Sequence, residues 1–359
     1  MPQNKNQHYV PQFYQRYFSD DEANTGVYIL KAKKYMPNAA IKHQASADYF
    51  YSKNLKIEKG LGVAEGIVKA VLDELIANPR KKLDKKQQIA IFTNIILQMG
   101  RTLYQAKKQE ASITAIGKQL IEAVIQADKE SGRGEYADIP QEAIDSTKIK
   151  LTEPGAFVTA NFIQLLPLCS DLEYRVLINE TSVPFVTSDN PVCMYNQFLE
   201  RMGINNGGLG QRGLQLYMPI SPAIALFYYD PKVYKVGSML MDFVRISDTN
   251  DVSELNKMLA TQANEILIIQ ASMASNVDLD ALGRIYDTYH NEGNPIGVNK
   301  GTDSAQTKVV GVISTRIDCQ CMLSFVKERT PYFLMRGETF DIERYMYRET
   351  VRREKMYGK

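Results

Sequence analysis

The chain holds three histidines, His8, His43 and His290, and the first of them opens the aromatic run HYVPQFYQRYF, residues 8–18. Histidine is the side chain that exchanges protons most readily near neutral pH, so His8 is a candidate general base or acid. Pro11 suits the first turn of a helix, where its missing N–H goes unneeded, and it drives Val10 towards an extended conformation. His8 then sits just upstream of a helix N-terminus. Free N–H groups there favour an anion and hold a nearby imidazole neutral, and Gln12 could donate to a bound substrate. Read as packing alone, the same ring lies among tyrosines with a single hydrogen bond.

A second candidate lies in VPFVTSDNPVCMY. The apolar stretch 183–187 runs directly into Ser188, Asp189, Asn190 and Pro191, which places Asp189 and Asn190 at a strand end. A carboxylate there could orient His8, take a proton or hold a divalent metal, and Asn190 could donate to a substrate. The same four residue types also build ordinary turns, so the loop has a purely structural reading. A third candidate is the row Asn94, Gln98, Arg101 and Gln105, spaced four, three and four along one helical face. Such a row is normally the solvated side of a helix. Here Ile91, Ile95 and Leu97 widen the apolar surface and point to burial nearly all round. A buried Arg101 needs a carboxylate, with Asp189 as one candidate, or an anionic ligand such as a phosphate, with Gln98 behind it.

Scattered short blocks of the chain resemble a family of bacterial proteins of unknown function, the domain of unknown function 4238. That family is marked by His-Tyr-Val-Pro near the N-terminus and a later Ser-Asp-Asn-Pro loop, and both stand here at residues 8–11 and 188–191. ADYFYS, QMGRT and MPISP are similar to further blocks of it. The resemblance implies no activity, but it gives a reason to consider these distant blocks together.

Other chemistry-bearing patterns fail on context. GLGQRG, residues 208–213, has the glycine spacing of a dinucleotide loop, but a strand follows where the mechanism needs a helix. YYDPK orders Asp230 and Lys232 as many nucleases do, yet Pro231 argues for a turn. His43 and His290 have no metal-ligand spacing with His8 and read as surface residues. The lone pair Cys319 and Cys321 lacks the second pair that structural zinc needs.

The 359 residues suffice for one large domain, 1–359, divisible into a mainly helical part, 1–170, and a sheet with helices, 171–359. A net charge of +2 announces neither nucleic acid nor membrane. The start has no apolar leader, the longest apolar runs are too short for a bilayer, and the spread-out cysteines suit a reduced cytoplasmic protein. Helical spacing runs from Ala64 to Leu75 with Pro79 beyond it. Asp84 can cap a second helix with the seam Ile89, Phe92, Ile96, Met99, Leu103 and Ala106, and Ile113, Ile116, Leu120 and Val124 suggest a third. EYRVLI, VPFVT, LQLYM and AIALFYY read as strands of an antiparallel sheet. Helices return at DVSELNKMLATQANEIL and DLDALGRIYDTYH, and KVVGVIST reads as a late strand. From Asp341 a charged helix puts Arg344, Arg348 and Arg352 on one stripe. Runs of helices and runs of strands imply an α+β fold.

Together these readings predict a His/Asp-dependent hydrolase of a phosphate-bearing substrate, a nuclease among the options. His8 and Asp189 would be catalytic, and Gln12, Gln98, Arg101 and Asn190 would bind substrate. A divalent metal and an anionic small molecule or nucleic acid fit as cofactor and partner. The competing reading is a non-catalytic binding or interaction module in which the same polar residues form a structural network.

Overall fold

Every residue of IALFYY, Ile224–Tyr229, is buried, which a strand achieves when both faces of its sheet are covered. The computed structural model that shows this describes residues 5–53, 56–136, 138–201, 203, 208–291, 297–302, 308–313 and 319–329.

β1 (Asn6–His8) passes through Pro11 into the short α1 (Gln12–Arg16). β2 (Asn24–Ile29) and β3 (Lys34–Ala40) form a hairpin, and β4 (Ser46–Asp48) returns antiparallel to β1. Three long helices follow, α2 (Lys56–Ala77), α3 (Lys85–Gly100) and α4 (Leu103–Ser131), then α5 (Gln141–Ser146) and α6 (Pro154–Gln164). Next come β5 (Glu173–Asn179), β6 (Thr187–Ser188), β7 (Cys193–Tyr195), α7 (Gln197–Arg201), β8 (Gln215–Pro219) and β9 (Ile224–Tyr229). β10 (Tyr234–Val236) and β11 (Phe243–Ile246) precede α8 (Thr249–Gln262), β12 (Ile266–Ile269) and α9 (Leu279–Asn291). A hairpin, β13 (Gly297–Thr302) and β14 (Lys308–Ile313), and β15 (Val326–Glu328) complete the described chain.

The fold is α+β. Its five-stranded sheet has the order β11-β5-β9-β8-β7 and is antiparallel except for the β11–β5 pair. Successive side chains of a strand point to opposite faces, and each face here buries its own core. Val176, Leu216, Leu226 and Tyr228 pack with Leu72, Ile91, Ile95 and Phe162 of the helices. Leu177, Tyr217, Phe227 and Tyr229 pack with Val252, Leu255 and Leu259 of α8. A second sheet, β3-β2-β12-β6, lies with that second core, and its β2–β12 pairing joins residues 26–29 to 266–269.

The capped start of the second long helix is present: the Asp84 carboxylate accepts from the Gln87 N–H, and the Gln87 side chain accepts from the Asp84 N–H. The seam from Ile89 to Ala106 is instead divided between two helices. α3 stops at Gly100, and Thr102 caps α4 by accepting from the Gln105 N–H. The buried row of α3 is Ile91, Ile95, Ile96, Gln98 and Met99, while Ile89 is 65% exposed. Ile116, Leu120 and Val124 of α4 also face outwards. The first part of the chain is not all helix, since it contributes β2 and β3 to the second sheet. The end of the predicted DVSELNKMLATQANEIL helix is strand β12, because Ala263 turns extended. The loop 208–213 ends at a left-handed Gly213 and enters β8. His43 is exposed. The side chain of His290 and the tail with Arg344, Arg348 and Arg352 lie outside the described residues.

α3 and α6 touch where Gly100 meets Phe162. A Cβ on Gly100 would stand 2.4 Å from the Phe162 Cβ, so the helices can approach this closely only without a side chain there. Gly100→Ala is expected to destabilise the protein by about 1–3 kcal/mol, read from denaturant midpoints, despite alanine's better helix propensity.

Candidate functional site

The amino-terminal segment is tied down before it can present any chemistry. β1 pairs with β4, and the buried Gln7 side chain donates to the Ser52 carbonyl at 2.8 Å and accepts from the Tyr51 N–H at 2.7 Å. Past Pro11, the Tyr14 hydroxyl donates to the Pro219 carbonyl at 2.5 Å, and Gln15 donates back to the Val10 carbonyl at 2.9 Å. α1 is only five residues long, so its dipole supplies little of the anion preference expected of it.

Arg101 points inwards from the break between α3 and α4 and is 3% exposed. Each guanidinium nitrogen has a partner. Nε donates to the Tyr51 hydroxyl at 2.7 Å, one terminal nitrogen donates to the His8 carbonyl at 3.2 Å, and the other pairs with Glu65 of α2 at 2.7 Å. Burial works against its charge, and Tyr51 and Glu65 reverse that. Gln98, one turn earlier, donates to the Tyr9 carbonyl at 2.9 Å. Two members of the polar row on α3 therefore grip the backbone of the His-Tyr-Val-Pro segment.

Beside this network opens a cavity of about 370 Å³. His8 and Arg101 stand in its wall, Gln12, Phe13 and Arg16 come from α1, and Glu58, Leu61, Gly62 and Glu65 come from α2. Gln12 bridges two of these groups. Its amide oxygen accepts from Arg16 at 3.3 Å, and its amide nitrogen makes a long, 3.4 Å contact to His8 Nδ1. An amide nitrogen only donates, so Nδ1 accepts and the proton of the neutral ring sits on Nε2. Nε2 is buried and makes no hydrogen bond among the described residues. Burial lowers the His8 pKa and Arg101 adds to that, outweighing the Ile41 and Lys42 carbonyls and Glu65.

Asp189 and Asn190 are placed elsewhere. Both Asp189 oxygens are taken at the start of β12, by the N–H of Asn264 at 2.9 Å and the N–H of Glu265 at 2.9 Å. Burial pushes its carboxyl up to about 6 even against these donors. The Asn190 side chain donates to the Gln262 carbonyl at 2.7 Å, and its own N–H donates to the Ser188 hydroxyl. Neither residue lines the cavity. The structure thus brings His8, Gln12, Arg101 and, through the Tyr9 carbonyl, Gln98 together, and uses Asp189 and Asn190 to fasten the strand-end loop to α8 and β12.

Residues 6–272 match the family described as protein of unknown function (DUF4238). The chain belongs to that family. No curated protein and no solved structure matches it. All the cavity residues of this DUF4238 member fall inside the matched span. No group of three or more His, Cys, Asp or Glu among the described residues is placed to hold a metal ion. Among the same residues, no helix is long and apolar enough to cross a membrane.

Sequence reasoning missed Arg16, Tyr51, Glu58 and Glu65. A signal for three of them was available. Glu58, Gly62 and Glu65 recur four and three apart on one face of α2, and Arg16 lies one turn from Gln12.

Removing the Glu65 carboxylate leaves a buried cation without its counter-charge. A fully buried pair broken this way costs about 3–5 kcal/mol, and the 24% exposure of Glu65 reduces that, so Glu65→Ala is expected to cost roughly 2 kcal/mol in denaturant unfolding. Asp189→Asn sets an amide N–H against backbone N–H donors and should cost about 1–3 kcal/mol.

The two shifted groups also give opposite pH slopes. His8 has a lowered folded pKa, so stability is lost as pH falls through 6.5. Asp189 is raised from 3.8 to about 6, so its contribution is present below 3.8 and lost as pH rises through 6. Unfolding measured from pH 4 to 7 should therefore steepen its rise with pH in Asp189→Asn and flatten it in His8→Asn.

Proposed function

We propose that this protein is a hydrolase of a phosphate-bearing substrate, with His8 as its general base. One observation carries the reading: an imidazole with a lowered pKa stands in the wall of an open cavity with its accepting nitrogen on the Gln12 side. A general base needs that combination of a neutral form and reach.

The other parts take supporting places. Arg16 is exposed at the cavity and donates to Gln12 and to the Glu22 carbonyl. Among the described residues no carboxylate pairs with it, so it is the guanidinium able to meet a phosphate. Gln12 couples the two, aligning ring and guanidinium through one amide. Arg101 acts from behind by holding the His8 carbonyl. Nδ1 of His8, giving up its long contact with Gln12, takes a proton from a water, the water oxygen bonds to phosphorus, and the bond from phosphorus to the leaving oxygen breaks. That oxygen collects a proton from solvent at the open mouth, leaving an alcohol and a phosphate.

The competing reading has its own support. Gln98, Arg101, Asp189 and Asn190 are buried and bonded within the fold, as members of a static network must be. The two readings divide the candidates: the network positions, and the cavity residues His8, Gln12 and Arg16 act. On this reading Asp189 is a fastening residue and not the partner of His8.

His8→Asn is expected to abolish phosphoester hydrolysis by the purified protein while its melting temperature at pH 7.5 stays within a degree or two, about the scatter of a neutral surface change. The wild-type rate should fall on the acid side with a midpoint below 6.5, the ordinary histidine value. Loss of folding in His8→Asn, with no activity in the wild type on any phosphoester, would leave the network reading alone.

A further inference from the structure

The cavity wall also restricts what can enter it. Charge is the first restriction. Arg101 is committed to Glu65, Tyr51 and the His8 carbonyl, and the carboxylates of Glu58 and Glu65 stand in the same wall. A nucleic-acid strand is held by several cations along its backbone, whereas this lining presents Arg16 as its one cation outside the Arg101–Glu65 pair, with Glu58 in the same wall. Size is the second. A volume of about 370 Å³ lies at the small end of ligand sites, which span about 300–1,000 Å³.

Gly62 is the third restriction. It stands inside α2, where glycine costs about 1 kcal/mol relative to alanine. A Cβ built on it meets no atom within 4 Å, as is also true of Gly60 and Gly66 of the same helix, so no neighbour in the fold requires the missing side chain, and of the three it is Gly62 that lines the cavity. Glycine at such a place has a use when something outside the chain lies against the helix backbone. Glu58 and Glu65 flank it one turn to either side on the same face of α2, and the apolar part of the wall beside it is the buried Leu61 and the half-buried Phe13.

We propose that the cavity binds a compact phosphate monoester, its single phosphate between Arg16 and His8 and its apolar body against the bare α2 backbone at Gly62, next to Leu61 and Phe13. The proposal rests on the hydrolase reading for the fate of the bound molecule and on the cavity alone for its binding.

Calorimetric titration of the full-length protein with phenyl phosphate, inorganic phosphate and a single-stranded oligonucleotide tests it. Phenyl phosphate should bind more tightly than inorganic phosphate, and the oligonucleotide should not bind. Gly62→Leu should weaken phenyl phosphate by about tenfold or more, the equivalent of 1.4 kcal/mol, and leave inorganic phosphate unchanged. Its melting temperature should hold or rise, since leucine favours helix over glycine. Arg16→Ala should remove the binding of both. An oligonucleotide that binds as well as phenyl phosphate, a Gly62→Leu variant with undiminished affinity, or no binding by either phosphate overturns the proposal. Tight phenyl phosphate binding with no turnover would remove the hydrolase reading and leave this inference standing. Oligonucleotide hydrolysis without phenyl phosphate binding would do the reverse.

Discussion

A guanidinium with almost no access to water must be met at every nitrogen, and meeting Arg101 organises this end of the molecule. Its partners come from three segments remote from it in sequence: Glu65 on α2, the Tyr51 hydroxyl ahead of α2, and the carbonyl of His8 on β1. Such a charge is tolerated only when geometry and counter-charge are both supplied. The break between α3 and α4 serves the same end, because it turns Arg101 out of the helical row and into the gap between β1 and α2. The backbone of the amino-terminal segment thereby becomes part of an ion-pair network and not a loose end.

The polar residues of the molecule then separate by whether the fold has finished with them. Gln7, Gln98, Asp189 and Asn190 spend their hydrogen bonds on backbone groups, which is the ordinary fate of buried polar side chains. His8 and Arg16 keep capacity in reserve at a concave surface. Gln12 links them and so couples the titrating group to the permanent charge. That contrast between spent and unspent groups is what sets the candidate site apart from the network around it.

Local chemistry was legible in the sequence, and remote pairing was not. The Asp84 cap is local, needing only Gln87 three residues on, and AIALFYY reads as a strand from its own residues, its burial on both faces coming with the fold. The β2–β3 hairpin went unread because its support, β12, comes some 240 residues later and nothing nearby marks it. His8, Gln12 and Arg101 could be picked out by type and spacing. Glu65 shares a helical face with Glu58 and Gly62, but a glutamate on a helix is usually solvated, and its pairing with Arg101 shows only in the packing. Asp189 kept a catalytic and a structural reading side by side for a related reason. A strand-end carboxylate looks catalytic until the backbone N–H groups that take it, here Asn264 and Glu265, are known.

The β2–β12 ladder also sets an order on how the chain can be completed. Residues 24–29 leave the ribosome long before residues 266–269, so the hairpin they form with β3 waits with one rim of backbone groups unclaimed. Val27 and Tyr28 on that rim are buried in the finished protein, and an unclaimed, apolar strand margin readily recruits the wrong neighbour. Nascent chains of this protein therefore hold this apolar margin without its native neighbour until residues 266–269 have been made.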